Sequence, residues 1–361
     1  MKTSEYFRQL IEEQKQGKDS GICSVCSANR MVLEAAMEDA RDTGNPVLIE
    51  ATANQVNQFG GYTGMKPEDF IRFVEEIAQK VGLNKSQLIL GGDHLGPLVW
   101  KEESEDEAMP KAEALIQSFV SAGFLKIHID TSMRLGSDDK NKPLSNETIA
   151  RRAAQLCAVA EAASGSEKPV YVIGSEVPVP GGSEENEDSL SVTSVKDLDE
   201  TLAVFKKAFL AKGLDDAFTR VVAVVVQPGV EFADNTIIRY DRKKAAALIE
   251  HVKTLPNIVL EGHSTDYQTK KSLTEMREDG IAILKVGPAL TFSVREALFA
   301  LEDIERALYP FSPEGGYSNF KEIIEKKLMQ EPKYWKNYYH GSQQEQMYAR
   351  KYSLSDRLRY Y

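Results

Sequence analysis

The chain has 361 residues, 42% of them hydrophobic, and a formal net charge of −11 from 55 acidic and 44 basic side chains. That apolar content supports a sizeable core, and the acidic surplus argues against nucleic acid or an anionic membrane as partner. Three cysteines are too few, and odd in number, for a secreted disulfide framework; no run approaches the roughly 18 apolar residues of a membrane span, so a cytoplasmic protein is expected.

Met1 to Gly17 is charged and helical in pattern, with no apolar signal region. Short apolar runs then alternate with longer amphipathic ones. The expected strands are Gly21–Val25, Val47–Glu50, Leu88–Gly92, Leu125–Asp130, Val170–Gly174, Val221–Val226, Ile258–Glu261 and Ile281–Val286. They are rich in Val, Ile and Leu, as strands buried on both faces should be. Between them fall helical patterns at Asn29–Thr43, Pro67–Val81, Lys111–Ala122, Asn146–Ala163, Val195–Ala211, Asp241–Thr254, Gln268–Glu278 and Ser293–Leu308. Pro67 at a first-turn position and Gly82 just past the end punctuate one of them. Eight strands each followed by a helix predict an α/β fold, a (β/α)8 TIM barrel over residues 1–308. From Tyr309 the composition turns aromatic and charged, and Phe320–Met329 and Gln343–Tyr352 read as helices of a short extension, 309–361, packed on the barrel or a partner. Lys101–Ala108 and Gly181–Ser194 read as acidic loops after the third and fifth strands. Cys23 and Cys26 form a CxxC, but no second pair accompanies them, and they read as small residues closing the first strand.

Barrel proteins place functional groups at the carboxyl ends of their strands. Here those ends read Glu50-Ala-Thr-Ala-Asn54, Asp93-His94, His128-Ile-Asp130, Ser175-Glu176, Gln227, Glu261-Gly-His263-Ser264 and Lys285. Burying such groups without partners costs several kcal/mol each, roughly, so together they predict a polar mouth with a purpose. Side chains alternate along a strand, so His128 shares a face with Asp130, and Glu261 with His263. With Asp130 and His263 at the top, His128 and Glu261 would lie one layer below. A divalent cation needs several such ligands from different strands; His94, Glu176 and His263 are the expected set, with Asp130 as a possible fourth. His251 and His340 fall on a helix and in the tail. The loop after the second strand carries Asn54, Gln55, Asn57 and Gln58 among three glycines, suited to a polyhydroxylated ligand. Gln227 and Lys285 join it as candidate ligand contacts. Ser264, Asp266 and Gly287 lie where barrels bind phosphate, after the seventh and eighth strands.

Long runs at these positions carry a family resemblance. Ile49–Met65 (IEATANQVNQFGGYTGM), Leu90–Pro97 (LGGDHLGP), His128–Met133, Gly174–Gly182, Val225–Phe232, Glu261–Thr269, Leu284–Phe292 and Tyr352–Tyr361 (YSLSDRLRYY) resemble the GatZ/KbaZ-type subunit of class II D-tagatose-1,6-bisphosphate aldolase. The resemblance implies a barrel of galactitol or N-acetylgalactosamine catabolism that binds a phosphorylated ketohexose, forms oligomers and assists a separate catalytic aldolase subunit. Relatives with the same runs resemble metal-dependent ketose or ketose-6-phosphate 4-epimerases. Asp93-His94 is similar to the class II aldolase strand end, where an aspartate is the acid/base and the adjacent histidine a metal ligand. Similar chains usually continue past the final run, so a further C-terminal segment would be expected.

Two chemistries remain open on the residues. Aldol cleavage and 4-epimerisation by retro-aldol and re-addition need the same parts: a divalent ion, zinc or another, and an acid/base at the C4 hydroxyl, for which Asp93 and Asp130 are the candidates. A sugar-kinase role is disfavoured, because no P-loop or other nucleotide motif is present.

Overall fold

The computed structural model describes residues 2–175, 177, 190–309, 311 and 316–361. The chain begins with helix α1 (Thr3–Lys15) and then enters β1 (Ile22–Cys26), α2 (Arg30–Thr43), β2 (Val47–Thr52), α3 (Pro67–Val81) and β3 (Leu88–Leu95). It continues through α4 (Glu105–Ala122), β4 (Lys126–Ile129), α5 (Asn146–Ala163), β5 (Val170–Ile173), α6 (Val195–Ala211), the short α7 (Asp215–Thr219) and β6 (Val221–Val226). A two-strand hairpin, β7 (Glu231–Phe232) and β8 (Ile237–Ile238), precedes α8 (Arg242–Val252), β9 (Val259–Gly262), α9 (Lys270–Glu278), β10 (Ile281–Val286) and α10 (Pro288–Leu308). Helices α11 (Phe320–Gln330) and α12 (Gln343–Tyr352) complete the chain.

Eight parallel strands close into a barrel in the order β1-β10-β9-β6-β5-β4-β3-β2. All eight expected strands are present. Their alternate side chains face either the helical layer, where the large apolar core lies, or the barrel interior. Because Cys23 and Cys26 fall on opposite faces, they do not form a redox pair; both are free thiols.

Local chemistry sets the helix limits. Asn29 caps α2 by accepting from the Met31 and Val32 amides, and Gly82, at a φ of 74°, ends α3 in the left-handed conformation that favours glycine. Two starts differ from expectation. Helix α4 begins at Glu105, not Lys111: the acidic stretch is its first turn, where Ser104 and Glu107 form a capping box and Glu105, Asp106 and Glu107 meet the positive end of the helix dipole. Pro110 therefore lies inside the helix rather than before it. Helix α10 begins at Pro288, five residues early, because its first amides are capped by a carboxylate from a distant loop, described below. The β7–β8 hairpin is too short to carry a strand signal of its own.

Helix α1 closes the amino-terminal end of the barrel. Its Phe7, Leu10 and Ile11 pack on Ile22, Leu48, Ile89, Val170, Val172, Val259 and Ile283, the lowest interior side chains of the strands. At the other end the extension folds back over the barrel. Arg295 on α10 donates to Asp356 at 3.0 Å, the Leu354 amide donates to the Asp234 carbonyl, and Leu328, Trp335 and Tyr339 make a small core within the extension. No described helix is long and apolar enough to cross a membrane.

Since Phe7 is fully buried in the plug, Phe7→Ala should lower the unfolding free energy by about 3–5 kcal/mol. A urea titration would show this as an earlier midpoint; an unchanged midpoint would mean that α1 is not part of the cooperative core.

Candidate active site

Above the apolar plug the barrel interior becomes ionic. Lys126, fully buried on β4, places its Nζ 2.8 Å from Glu50 Oε1 and 2.7 Å from Glu261 Oε2. Ser24 donates its hydroxyl to the other oxygen of Glu50. Gly91 on β3 leaves the room that Glu50 occupies, since a Cβ there would collide with its carboxylate. Burial raises the Glu50 carboxyl above its usual range against the pull of Lys126. Burial also acts against Glu261, but Lys126 and His263 prevail and hold it well below. The two carboxylates together keep Lys126 protonated, its own burial notwithstanding.

One layer higher, three imidazoles face one another, with ring centres 4.9–5.1 Å apart: His94, His128 and His263. Each has one nitrogen on a carboxylate. His94 Nδ1 lies 2.7 Å from Asp130 Oδ2, His128 Nδ1 2.8 Å from Asp93 Oδ1, and His263 Nε2 2.9 Å from Glu261 Oε1. A carboxylate on one nitrogen favours the proton there and leaves the other nitrogen as a lone-pair donor; His128 Nδ1 also faces the His94 amide at 3.2 Å. His128 Nε2 and His263 Nδ1 are indeed buried without a hydrogen-bond partner. Burial, then the charge of Lys285, pushes His263 well below its usual value, so this imidazole is neutral.

Asp93 completes the group. It is fully buried, accepts from the Cys26 thiol at 3.4 Å and pairs with Lys285. Burial alone would raise its carboxyl; His94, Lys285 and His128 hold it well below the usual range. His94 adopts a φ of 47° and Ser264 a φ of 54°, both left-handed conformations unusual for residues with a side chain. Such strain collects where the surroundings over-determine a residue's position, as in binding sites. Gly96 extends past this turn where a Cβ would overlap the Asp130 carbonyl.

The donor set fits a divalent cation. One ligand atom from each of Asp93, His94, His128 and His263 lies within 4.8 Å of the others. Among the described residues, four carboxylates, Glu50, Asp93, Asp130 and Glu261, share this buried volume with two lysines, Lys126 and Lys285. Three imidazoles, each with a carboxylate on one nitrogen, suit zinc or a similar ion.

Several expected residues fall elsewhere. His128, placed by parity one layer down, stands beside His94 and His263. Glu176 lies outside the described residues. Asp130, expected as acid/base, has its oxygens on His94 and on Ser132. The amides after β2 mostly build their own loop: Gln55 accepts from the Thr52 amide, Asn57 accepts from the Phe59 and Gly61 amides, and Gln58 donates to the Lys111 carbonyl on α4. Asn54 borders an open cavity. Gln227 accepts from the Gly229 and Val230 amides and shapes the turn into the β7–β8 hairpin. Asp266 accepts from the Gly287 and Ala289 amides at 3.0 and 2.8 Å, so the first turn of α10, the expected phosphate position, is already filled by a carboxylate. Lys126 was overlooked. Its signal was a lysine inside an otherwise apolar strand, in phase with His128 and Asp130.

Fold and site together define a β/α barrel with a carboxylate-held imidazole cluster at the carboxyl ends of its strands. A family model described as "D-tagatose-1,6-bisphosphate aldolase subunit GatZ/KbaZ-like" matches residues 7–361. The chain belongs to this family. It is 50% identical over 358 residues, 98% of this chain and 84% of the relative, to the D-tagatose-1,6-bisphosphate aldolase subunit GatZ of Escherichia coli O1:K1 / APEC, and equally to that of Shigella flexneri. Among solved structures it resembles one described as a probable tagatose 6 phosphate kinase from Sinorhizobium meliloti 1021, at 49% identity and a TM-score of 0.85, covering 94% of this chain and 83% of that one. A fructose-bisphosphate aldolase from Campylobacter jejuni, at 13% identity and a TM-score of 0.54 over 88% of this chain and 84% of that one, shares the fold.

Removing the ammonium between two buried carboxylates strands their charge. Lys126→Met should therefore destabilise the protein by about 3–5 kcal/mol, and adding Glu50→Gln should recover part of the loss. A double variant no more stable than Lys126→Met would contradict this account of the ionic layer.

Proposed function

We propose that this protein is a D-tagatose-1,6-bisphosphate aldolase subunit whose own mouth performs carbon–carbon bond chemistry on a phosphorylated ketohexose. The observation that carries the reading is the trio of imidazoles, each oriented by a carboxylate, with ligand atoms converging beside Asp93. A subunit serving only to support another would not need to bury this set, given the cost of holding ionisable groups out of water.

His94, His128 and His263 would hold a divalent cation, which supplies Lewis-acid polarisation of the ketose carbonyl and stabilises the negative charge that develops as the adjacent C–C bond breaks. Asp130, Glu261 and Asp93 keep the three rings in register and fix which nitrogen carries the proton. The second oxygen of Asp93, paired with Lys285, stands at the strand end and would take the proton of the C4 hydroxyl and return it. Lys285 balances that carboxylate and adds positive charge where anionic substrate oxygens would lie.

The partner reading follows the family: the relatives are named as subunits, so a second aldolase subunit would dock on this one. One feature favours a second reaction. The C-terminal run lies against the loop after β2, with Tyr360 4.6 Å from Tyr62 between ring centres, and a cover of this kind would retain the aldehyde fragment for re-addition. Retention after cleavage gives 4-epimerisation instead of release.

Purified protein alone, given a divalent metal and either tagatose 1,6-bisphosphate or fructose 6-phosphate, should release triose phosphates or form the C4 epimer. Turnover should vanish on chelation and in Asp93→Asn, while Glu261→Gln should weaken metal affinity by about 10–100-fold. Absence of turnover with any ketose phosphate, together with activation of a separately expressed aldolase subunit, would leave only the supporting role.

A further inference from the structure

Between the loop after β2, the turn after β3 and the C-terminal run lies a cavity of about 530 Å³. Its charged lining is one-sided. Lys101, Lys333 and Arg357 border it, and no carboxylate among the described residues does, in a chain where acids outnumber bases 55 to 44. Such a concentration of one sign, against the balance of the whole molecule, is an anion signature.

Arg357 is the telling residue. Four arginines are deeply buried, and three have carboxylate partners: Arg152 with Glu105 and Asp138, Arg295 with Asp356, and Arg350 with Glu325. Arg357, only 6% exposed, pairs with no carboxylate among the described residues. Its Nη1 reaches the Tyr334 carbonyl at 3.3 Å, its guanidinium stacks on Tyr338 at 3.0 Å from the ring centre, and its Nε is buried without a partner. A guanidinium stays charged, so it lies in a low-dielectric wall with its counter-charge missing. The planar fork of donors matches the oxygens of a phosphate.

The cavity and the reaction centre share the loop after β2. Asn54 and Asn57 of that loop line the cavity, while Gln55 between them donates to the Cys26 carbonyl at 3.5 Å, and the Cys26 thiol donates to Asp93. The alternative phosphate position, the first turn of α10, is filled by Asp266.

We propose that this cavity receives the phosphate monoester of the substrate, with Arg357 as its buried anchor and Lys101 and Lys333 as its outer cations. The assignment rests on the reading of the mouth as a ketose-phosphate site and adds which end of the ligand lies under the C-terminal run. Lys101 and Lys333 are exposed and steer the anion inward; Arg357 holds it.

Calorimetric titration of the full chain, with chelator present so that no metal or turnover is needed, tests this with inorganic phosphate, fructose 6-phosphate and fructose. The wild type should bind the sugar phosphate more tightly than the sugar, and Arg357→Gln should weaken the phosphate ester by roughly ten- to a hundredfold with fructose unaffected. The surface pair Lys101→Gln/Lys333→Gln, which cannot disturb the core, should weaken it several-fold and flatten its salt dependence. It decides the matter if Arg357→Gln does not fold. Inorganic phosphate should compete with fructose 6-phosphate. Binding without competition would assign the cavity to free phosphate and overturn the proposal, as would dissociation constants within twofold of wild type in both variants. Loss of binding in a protein that never turns over a ketose would remove the catalytic reading and keep this one; turnover with an unchanged KM in Arg357→Gln would do the reverse.

Discussion

A lysine held between two glutamates inside the barrel, all three fully buried, is the constraint on which the functional half of this molecule rests. Lys126 reaches Glu50 on β2 and Glu261 on β9, and so ties one side of the barrel wall to the other. A pair of this kind contributes little net stability, because desolvation offsets most of the attraction. What it supplies is position. Glu261 cannot move without leaving Lys126, and His263 cannot turn without leaving Glu261. Orientation of an imidazole in the upper layer is thereby inherited from an ion pair in the lower one.

Strand geometry explains why the same pattern recurs. A two-residue step keeps side chains on one face, so the interior of β4 reads Lys126, His128, Asp130 from bottom to top, and that of β9 reads Glu261, His263. Carboxylates and imidazoles at alternating heights on neighbouring strands then meet across the lumen: Asp93 with His128, and Asp130 with His94. The arrangement satisfies one nitrogen of each ring and leaves the others converging, which is the condition for a ligand set rather than a hydrogen-bonded core.

Much of this was legible in the sequence, for physical reasons. Strands buried on both faces show as unbroken apolar runs, and Pro67, Gly82 and Asn29 mark helix ends by chemistry that is local. The polar strand ends stood out because nothing local explains them. What escaped depends on distant residues. The start of α10 is set by Asp266, more than twenty positions earlier, and the partner of Asp130 is a histidine on another strand. His128 was assigned to the wrong layer because parity gives the face of a side chain but not the height at which neighbouring strands place theirs. The amides after β2 looked like ligand contacts, yet a loop with three glycines needs side-chain hydrogen bonds to hold its own shape, and Gln55, Asn57 and Gln58 provide them. Whether Arg357 has a counter-ion could not be read at all, since acidic residues abound in the chain and only the fold shows which of them come near.

Helix α1 closes one end of the barrel. Phe7, Leu10 and Ile11 seal the end opposite the mouth, so, among the described residues, the imidazole layer is approached from the carboxyl ends of the strands. With a cation and a sugar bound there as proposed, the deeper guest would enter first and depart last. A seal built for stability thus sets an order of traffic, and with it the rule that a filled mouth locks in whatever lies beneath.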